Sequence, residues 1–272
     1  MHGTKASGLA LLGLAWAVLP LAAQADDEEW VRRCERDWGD RNRERVCEVR
    51  VERIPARGSI VVDGGTNGGA QVIGWDRNEI EIHARIQAQA EELEDARALA
   101  SDVRITTDGT IEADGPSTGR REHWSVQFVI YAPRRIDVDA RAHNGPVSAR
   151  EVTGRIVLET HNGPVSLRQV AGDVSATTQN GPVSVTLAGD RWDGAGLSAR
   201  TQNGPVTLEI PENYSAELET GTVNGPMSID FPMQVTIQGR VGRTLRTTLG
   251  NGGPTVKVTT QNGPLTLRRP GA

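Results

Sequence analysis

Two histidines eighteen residues apart are the first candidates for chemistry in this chain. His143 and His161 each precede the same tripeptide, Asn-Gly-Pro, so they hold one position of a repeat. In a stack of repeats the two imidazoles lie one rung apart, where they could share a metal ion or form a pH-sensitive patch. The same position is later filled by Gln179, Gln202, Val223 and Gln261. A position that accepts glutamine and valine reads as a polar, turn-supporting column, and no third metal ligand can be named. The next position holds asparagine, each followed by glycine: Asn144-Gly145, Asn162-Gly163, Asn180-Gly181, Asn203-Gly204, Asn224-Gly225 and Asn262-Gly263. Asn-Gly is a favoured turn pair on steric grounds. These pairs are read as structural corners whose amides can bond along a stack, with a ligand-binding amide row as the alternative. Acids near the repeats (Asp173, Asp190, Asp193, Glu209, Glu212, Glu219) share no fixed column. No nucleophile elbow, zinc-protease helix or paired Cys and His is present. The expectation is a non-enzymatic protein with no catalytic residue, no metal and no cofactor.

The elements that carry these residues follow from the repeat. Asn-Gly-Pro recurs at intervals of 18, 18, 23 and 21 residues, then of 27 and 11 if the stretched copy Asn251-Gly252-Gly253-Pro254 is counted. Self-similarity near twenty residues marks a solenoid. Within a unit apolar residues alternate, as in Val147, Ala149 and Val152, then Ile156 and Leu158. Period-two alternation gives short half-buried strands. Asn-Gly is expected to supply positive φ at one corner, and Gly154 or Gly172 to mark the opposite one. One unit is too thin to bury its own apolar face, so neighbours must stack at about 4.8 Å. The fold expected is mainly β: a single-stranded parallel β-solenoid, or β-helix, with one short helix.

Residues 1–25 read as a secretory signal: Lys5, an apolar run from Gly8 to Ala22, and the small-x-small site Ala23-Gln24-Ala25. Residues 26–55 form a charged segment with both cysteines, and residues 56–268 form the solenoid. Cys34 and Cys47 most simply pair in an oxidising compartment; a two-cysteine metal site is the alternative. Cys47, Val49 and Val51 alternate into a strand. Ser59 to Ile86 reads as diverged first coils, with Gly64 to Gly69 as turn residues. Gln87 to Val103 is the helical candidate, with Leu93, Ala96, Ala100 and Val103 on one face. Trp124 to Ile130 is a strand closed by Pro133. Trp192 falls in an insertion and is expected to be an exposed loop aromatic. With 31 Gly, 14 Pro and a net charge of −5, the composition suits a turn-rich β protein and gives no footprint for nucleic acid.

Gly74 to Arg77, the helix near Glu91 to Ser101, the Trp124 to Pro133 strand and the Asn-Gly-x-Val units from Asn144 onward together resemble the DUF4097 family. The resemblance covers about Ile54 to Leu267. It implies an exported bacterial β-solenoid of the kind labelled as an adhesin. The functional expectation is an exported protein, periplasmic or at the cell surface, that binds a glycan, a surface polymer or an envelope protein through a repetitive Thr/Ser/Gln/Asn face. A periplasmic structural or envelope-accessory module is the alternative, and a carbohydrate-active β-helix enzyme stands third. No membrane span is expected after signal cleavage.

Overall fold

The computed structural model describes residues 21–36, 43–230 and 243–271. Most of the signal reading falls on residues 1–20, and the expected excursion after Asn224 falls largely on residues 231–242; both lie outside the described residues. In chain order the elements are α1 (Leu21–Arg36), β1 (Glu44–Pro55), β2 (Ser59–Asp63), β3 (Gly69–Trp75), β4 (Glu79–Ala90), α2 (Leu93–Asp102), β5 (Arg104–Thr106), β6 (Thr110–Asp114) and β7 (His123–Pro133). Then follow β8 (Asp137–Ala142), β9 (Val147–Arg150), β10 (Thr153–Thr160), β11 (Val165–Arg168), β12 (Ala171–Asn180), β13 (Val183–Thr186), β14 (Gly196–Asn203) and β15 (Val206–Glu209). The last are β16 (Ala216–Asn224), β17 (Met227–Asp230), β18 (Thr244–Leu249), β19 (Thr255–Asn262) and β20 (Leu265–Arg268). The chain is mainly β. No described helix is long and apolar enough to cross a membrane.

The strands form two ten-stranded sheets. The first runs β1-β4-β7-β3-β9-β11-β13-β15-β20-β17, and the second runs β18-β16-β19-β14-β12-β10-β8-β2-β6-β5. Each repeat places one strand in each sheet, and the Asn-Gly-Pro corner joins the two. Successive repeats pair in parallel with matching positions aligned: Val147, Val165, Val183 and Val206 in the first sheet, and Ile156 with Val174 in the second. The inward residues, among them Val165, Leu167, Ile156, Leu158, Val206 and Leu208, interleave into one continuous buried core.

Three expectations are corrected here. The corner glycines do not serve through positive φ. Of the six, only Gly263 has one, at 157°, near the extended region. A Cβ on Gly163 would instead lie 2.0 Å from the Gly145 carbonyl oxygen, and one on Gly181 2.0 Å from that of Gly163. Each corner stacks backbone on backbone, so glycine is demanded by close approach between rungs. The left-handed residues of the opposite corners are Glu151 (φ 58°) and Gln169 (φ 53°), although Gly172 close by also has φ 108°. Second, the pairing is not parallel throughout. β1 with β4, β4 with β7, β5 with β6 and β16 with β18 are antiparallel, so both ends of the stack depart from the coil. Third, Trp192 is buried, with its indole N–H donating to the Gly172 carbonyl at 3.1 Å. The insertion folds inward because an indole that fills the core removes far more apolar surface from water than a small side chain.

The helical candidate is shorter than expected. Gln87 to Ala90 continue β4, and only Leu93–Asp102 is helical. Ala96, Leu99 and Ala100 of α2 are buried, and α2 packs on β4 and β1 to close the end of the core. A second helix, α1, has no counterpart in the sequence reading. It lies against β1, tied there by the Cys34–Cys47 disulfide across 13 residues of sequence.

Candidate functional site

Four polar columns run along the stack: two in the corner, one of them buried, and one on the outer face of each sheet. In the corner the asparagine amides bond head to tail. Asn162 Nδ2 donates to Asn144 Oδ1, Asn180 to Asn162, Asn203 to Asn180, Asn262 to Asn203 and Asn224 to Asn262, each at 2.8 Å. Asn144 donates in turn to Asn67 Oδ1 at 3.0 Å. Asn67 belongs to the loop Thr66-Asn67-Gly68-Gly69, which occupies the corner position of the first coil: a Cβ on Gly145 would lie 1.6 Å from the Gly68 carbonyl oxygen.

A buried threonine column stiffens each corner from inside, and the sequence reading missed it. Thr160 Oγ1 donates to the Gly145 carbonyl, Thr178 to Gly163, Thr201 to Gly181, Thr260 to Gly204 and Thr222 to Gly263, all between 2.8 and 2.9 Å. The signal was present in the sequence: threonine stands two residues before asparagine in every corner but the first, where Ala142 replaces it. Each hydroxyl satisfies a carbonyl that the proline-containing corner would leave without a backbone partner.

On the outer face of the first sheet, Ser148, Ser166, Ser184, Thr207, Thr266 and Ser228 align in register as an unbroken hydroxyl row. On the second sheet, Arg141, Glu159, Thr177 and Arg200 form a matching row. With His161, Gln179 and Gln202 they line an open hollow of about 500 Å³. Arg141 is held by Asp139 at 3.0 Å and reaches Glu159 at 3.8 Å. His143 and His161 do stack, with ring centroids 4.8 Å apart and planes 9° from parallel. Among the described residues no group of three His, Cys, Asp or Glu could hold a metal.

A separate ionic cluster lies under α1. The core-facing residues of β4 are Ile80, Ile82, Ala84 and Ile86, so Glu81, His83 and Arg85 point the other way, where α1 covers them. His83 is 1% exposed, with Nδ1 against Asp27 and Nε2 2.8 Å from Glu81. Arg85 Nε donates to Asp27 at 2.9 Å, and Arg53 Nε to Glu81 at 2.7 Å. Burial alone would lower the His83 pKa, but the hydrogen bonds and charges of Asp27 and Glu81 outweigh it and raise it above the usual range. Burial would likewise raise Asp27, yet His83 and Arg85 hold it below its ordinary value. Buried between α1 and the first sheet, this cluster is a clasp for α1; it offers no surface to a substrate.

Residues 134–268 match the Toastrack DUF4097 family. Over these residues the chain is a member of that family. Among solved structures, it is similar to a "putative cell adhesion protein" from Clostridium sporogenes, at 10% identity and a TM-score of 0.43, covering 82% of this chain and 100% of that one. It is also similar to a "putative adhesin" from Bacteroides fragilis at 13% identity and a TM-score of 0.37, covering 82% and 97%. A third is a "putative lipid binding protein" from Parabacteroides distasonis at 8% identity and a TM-score of 0.32, covering 80% and 96%. No curated protein matches the chain.

Proposed function

We propose that the protein is an exported, non-enzymatic binder of an extended polymer, with a glycan or other surface polymer as the ligand. The observation that carries this reading is the in-register alignment of like polar groups along the stack: the hydroxyl row from Ser148 to Ser228 beside the asparagine ladder. Rungs spaced about 4.8 Å apart present the same donor and acceptor set again and again. A polymer lying along the axis can then add many weak contacts, each raising the effective concentration for the next. The disulfide supports export, because such bonds persist in oxidising compartments. Cleavage of a leader after Ala25 would leave Asp26 and Asp27 at the new amino terminus, where their carboxylates hold Arg85 and His83.

The test is retention of the full chain on a panel of immobilised polysaccharides and cell-wall polymers. The variant Ser184→Ala/Ser228→Ala removes two exposed hydroxyls of that row. It should weaken retention severalfold while leaving the unfolding midpoint unchanged; equal retention of both proteins would remove this face from the ligand site. Protease accessibility on intact cells should match that on permeabilised ones. Protection until permeabilisation would instead assign the face to a periplasmic envelope partner.

A further inference from the structure

We propose that the hollow at the leading end of the asparagine ladder binds one neutral sugar ring carrying an acetamido group. The ladder has a direction. Every Nδ2 donates toward the amino-terminal end, from Asn224 through Asn262, Asn203, Asn180, Asn162 and Asn144 to Asn67. Asn67 accepts, and its own Nδ2 makes no hydrogen bond among the described residues. Hydrogen bonds in a chain polarise one another, so the donor at the end of such a row is strengthened.

The architecture explains why a hollow opens there. Beyond the first coil, β6 extends the second sheet and β7 extends the first. They are joined by residues 115–122 and not by an Asn-Gly-Pro corner, so the ladder receives no further amide. A cavity of about 300 Å³ remains, and Asn67, the Gly64-Gly65 turn, His123 and Trp124 line it. That volume is at the small end of ligand sites, which combine an aromatic wall with a few placed polar groups. The Trp124 indole is fixed for this purpose: its N–H donates to the Pro116 carbonyl at 2.9 Å, and a Cβ on Gly115 would lie 2.8 Å from the ring. A Cβ on Gly65 would meet nothing within 4 Å, so the turn leaves its backbone uncovered.

The charges choose the ligand. Asp63 lines the cavity and repels an anion. Burial, aided by the Arg43 charge, keeps the His123 pKa below its usual value, so this imidazole is neutral at physiological pH and offers no cation to a carboxylate. What remains is the Trp124 indole in the cavity wall, a partner for the apolar face of a sugar ring, and a polarised amide for a carbonyl oxygen. An acetamido carbonyl is a stronger acceptor for that amide than the hydroxyl oxygens of a plain hexose. This site lies at the end of the asparagine ladder, beyond the hydroxyl row that begins at Ser148, and different substitutions address the two.

The experiment is a titration of the full chain with the disaccharide of N-acetylglucosamine, read by amide and indole NMR shifts and by tryptophan fluorescence. Cellobiose and glucuronate serve as comparisons. Saturable shifts should centre on the Trp124 indole and the Asn67 side chain. Asn67→Asp keeps an acceptor for Asn144 while replacing the outward donor by a carboxylate oxygen, which adds a negative charge beside Asp63; it should weaken binding of the neutral ligand by at least about tenfold, the value of one hydrogen bond. Trp124→Leu should abolish binding, and Asn67→Asp carries the test if that variant folds poorly. No shift at these residues, equal affinity of Asn67→Asp, or equal binding of cellobiose overturns the assignment. Ser184→Ala/Ser228→Ala should bind the disaccharide normally, so loss of polymer retention and loss of this site are told apart.

Discussion

At the residue scale the structure turns on what cannot be enlarged and what cannot be left unpaired. A Cβ on Gly163 has no room, because the obstacle is the backbone carbonyl of the rung below. Gly163→Ala is therefore expected to cost about 3 kcal/mol by forcing two rungs apart. Gly189 has open space and φ 75°, so Gly189→Ala should cost only about 1 kcal/mol of backbone strain. Denaturant unfolding of the two variants separates close approach from turn geometry; equal losses would contradict it. Thr178→Val should cost about 1–2 kcal/mol by leaving the Gly163 carbonyl unsatisfied in a buried corner, whereas the exposed neighbour Thr177 tolerates valine. Asn-Gly-Pro was legible as a corner, but not its reason. Sequence favours positive φ as the role of glycine, and rung contacts are invisible until the rungs are stacked. The threonine column was hidden in the same way: an alternating threonine looks like any half-buried strand residue.

At the element scale, α1 is held by a disulfide at one end and by the His83 clasp at the other. The groups facing His83 are Asp27 and Asp26 from α1, Glu81 and Arg85 from β4, Arg53 from β1 and the edge of Tyr131 from β7. Because the folded His83 pKa is raised, its contribution is fully present below the unfolded value near 6.5 and is lost as pH rises through the folded pKa. Asp27 is depressed, so its contribution is present above the unfolded value of 3.8 and is lost as pH falls through the folded pKa. The clasp is strongest between those limits. Hydrogen exchange of α1 should thus quicken, beyond the intrinsic pH dependence, on moving from pH 6 to alkaline pH. His83→Gln should remove that slope and cost about 3 kcal/mol, since it leaves two buried carboxylates short of a partner. Reduction of Cys34–Cys47 should release α1 to proteolysis, at a cost of about 3 kcal/mol for a loop of this length, with the repeats still folded; an α1 equally protected after reduction would show that the clasp suffices alone. The helix escaped the sequence reading because its covering face is charged. Asp27 and Cys34 become buried, and Trp30 half-buried, only when Glu81, His83 and Arg85 lie opposite.

At the scale of the whole molecule, sequence order and spatial order part company at the carboxyl-terminal end. The coil β19/β20 lies between β14/β15 and β16/β17, although it comes last in the chain. Asn262 accordingly bridges Asn203 and Asn224 in the ladder. The intervals of 27 and 11 residues showed an irregularity but could not reveal an inserted rung, because repeat spacing records contour length and not the neighbour chosen. The chain must set down β16 and β17 one rung away from β14 and β15, then return to fill the space. The last coil is therefore a keystone: among the described strands β16 meets β19 in parallel and otherwise pairs only with β18, antiparallel. Deleting residues 251–272 should expose more than it removes. A terminal coil at the end of a regular stack would take only its own amides with it, given nearest-neighbour stability. Here, hydrogen exchange should show protection lost across residues 216–230 as well, while β10 to β13 stay protected. Retained protection at β16 in the truncated chain would mean that the pair with β18 holds it without the inserted rung, and that the return of the chain adds a rung without locking the end.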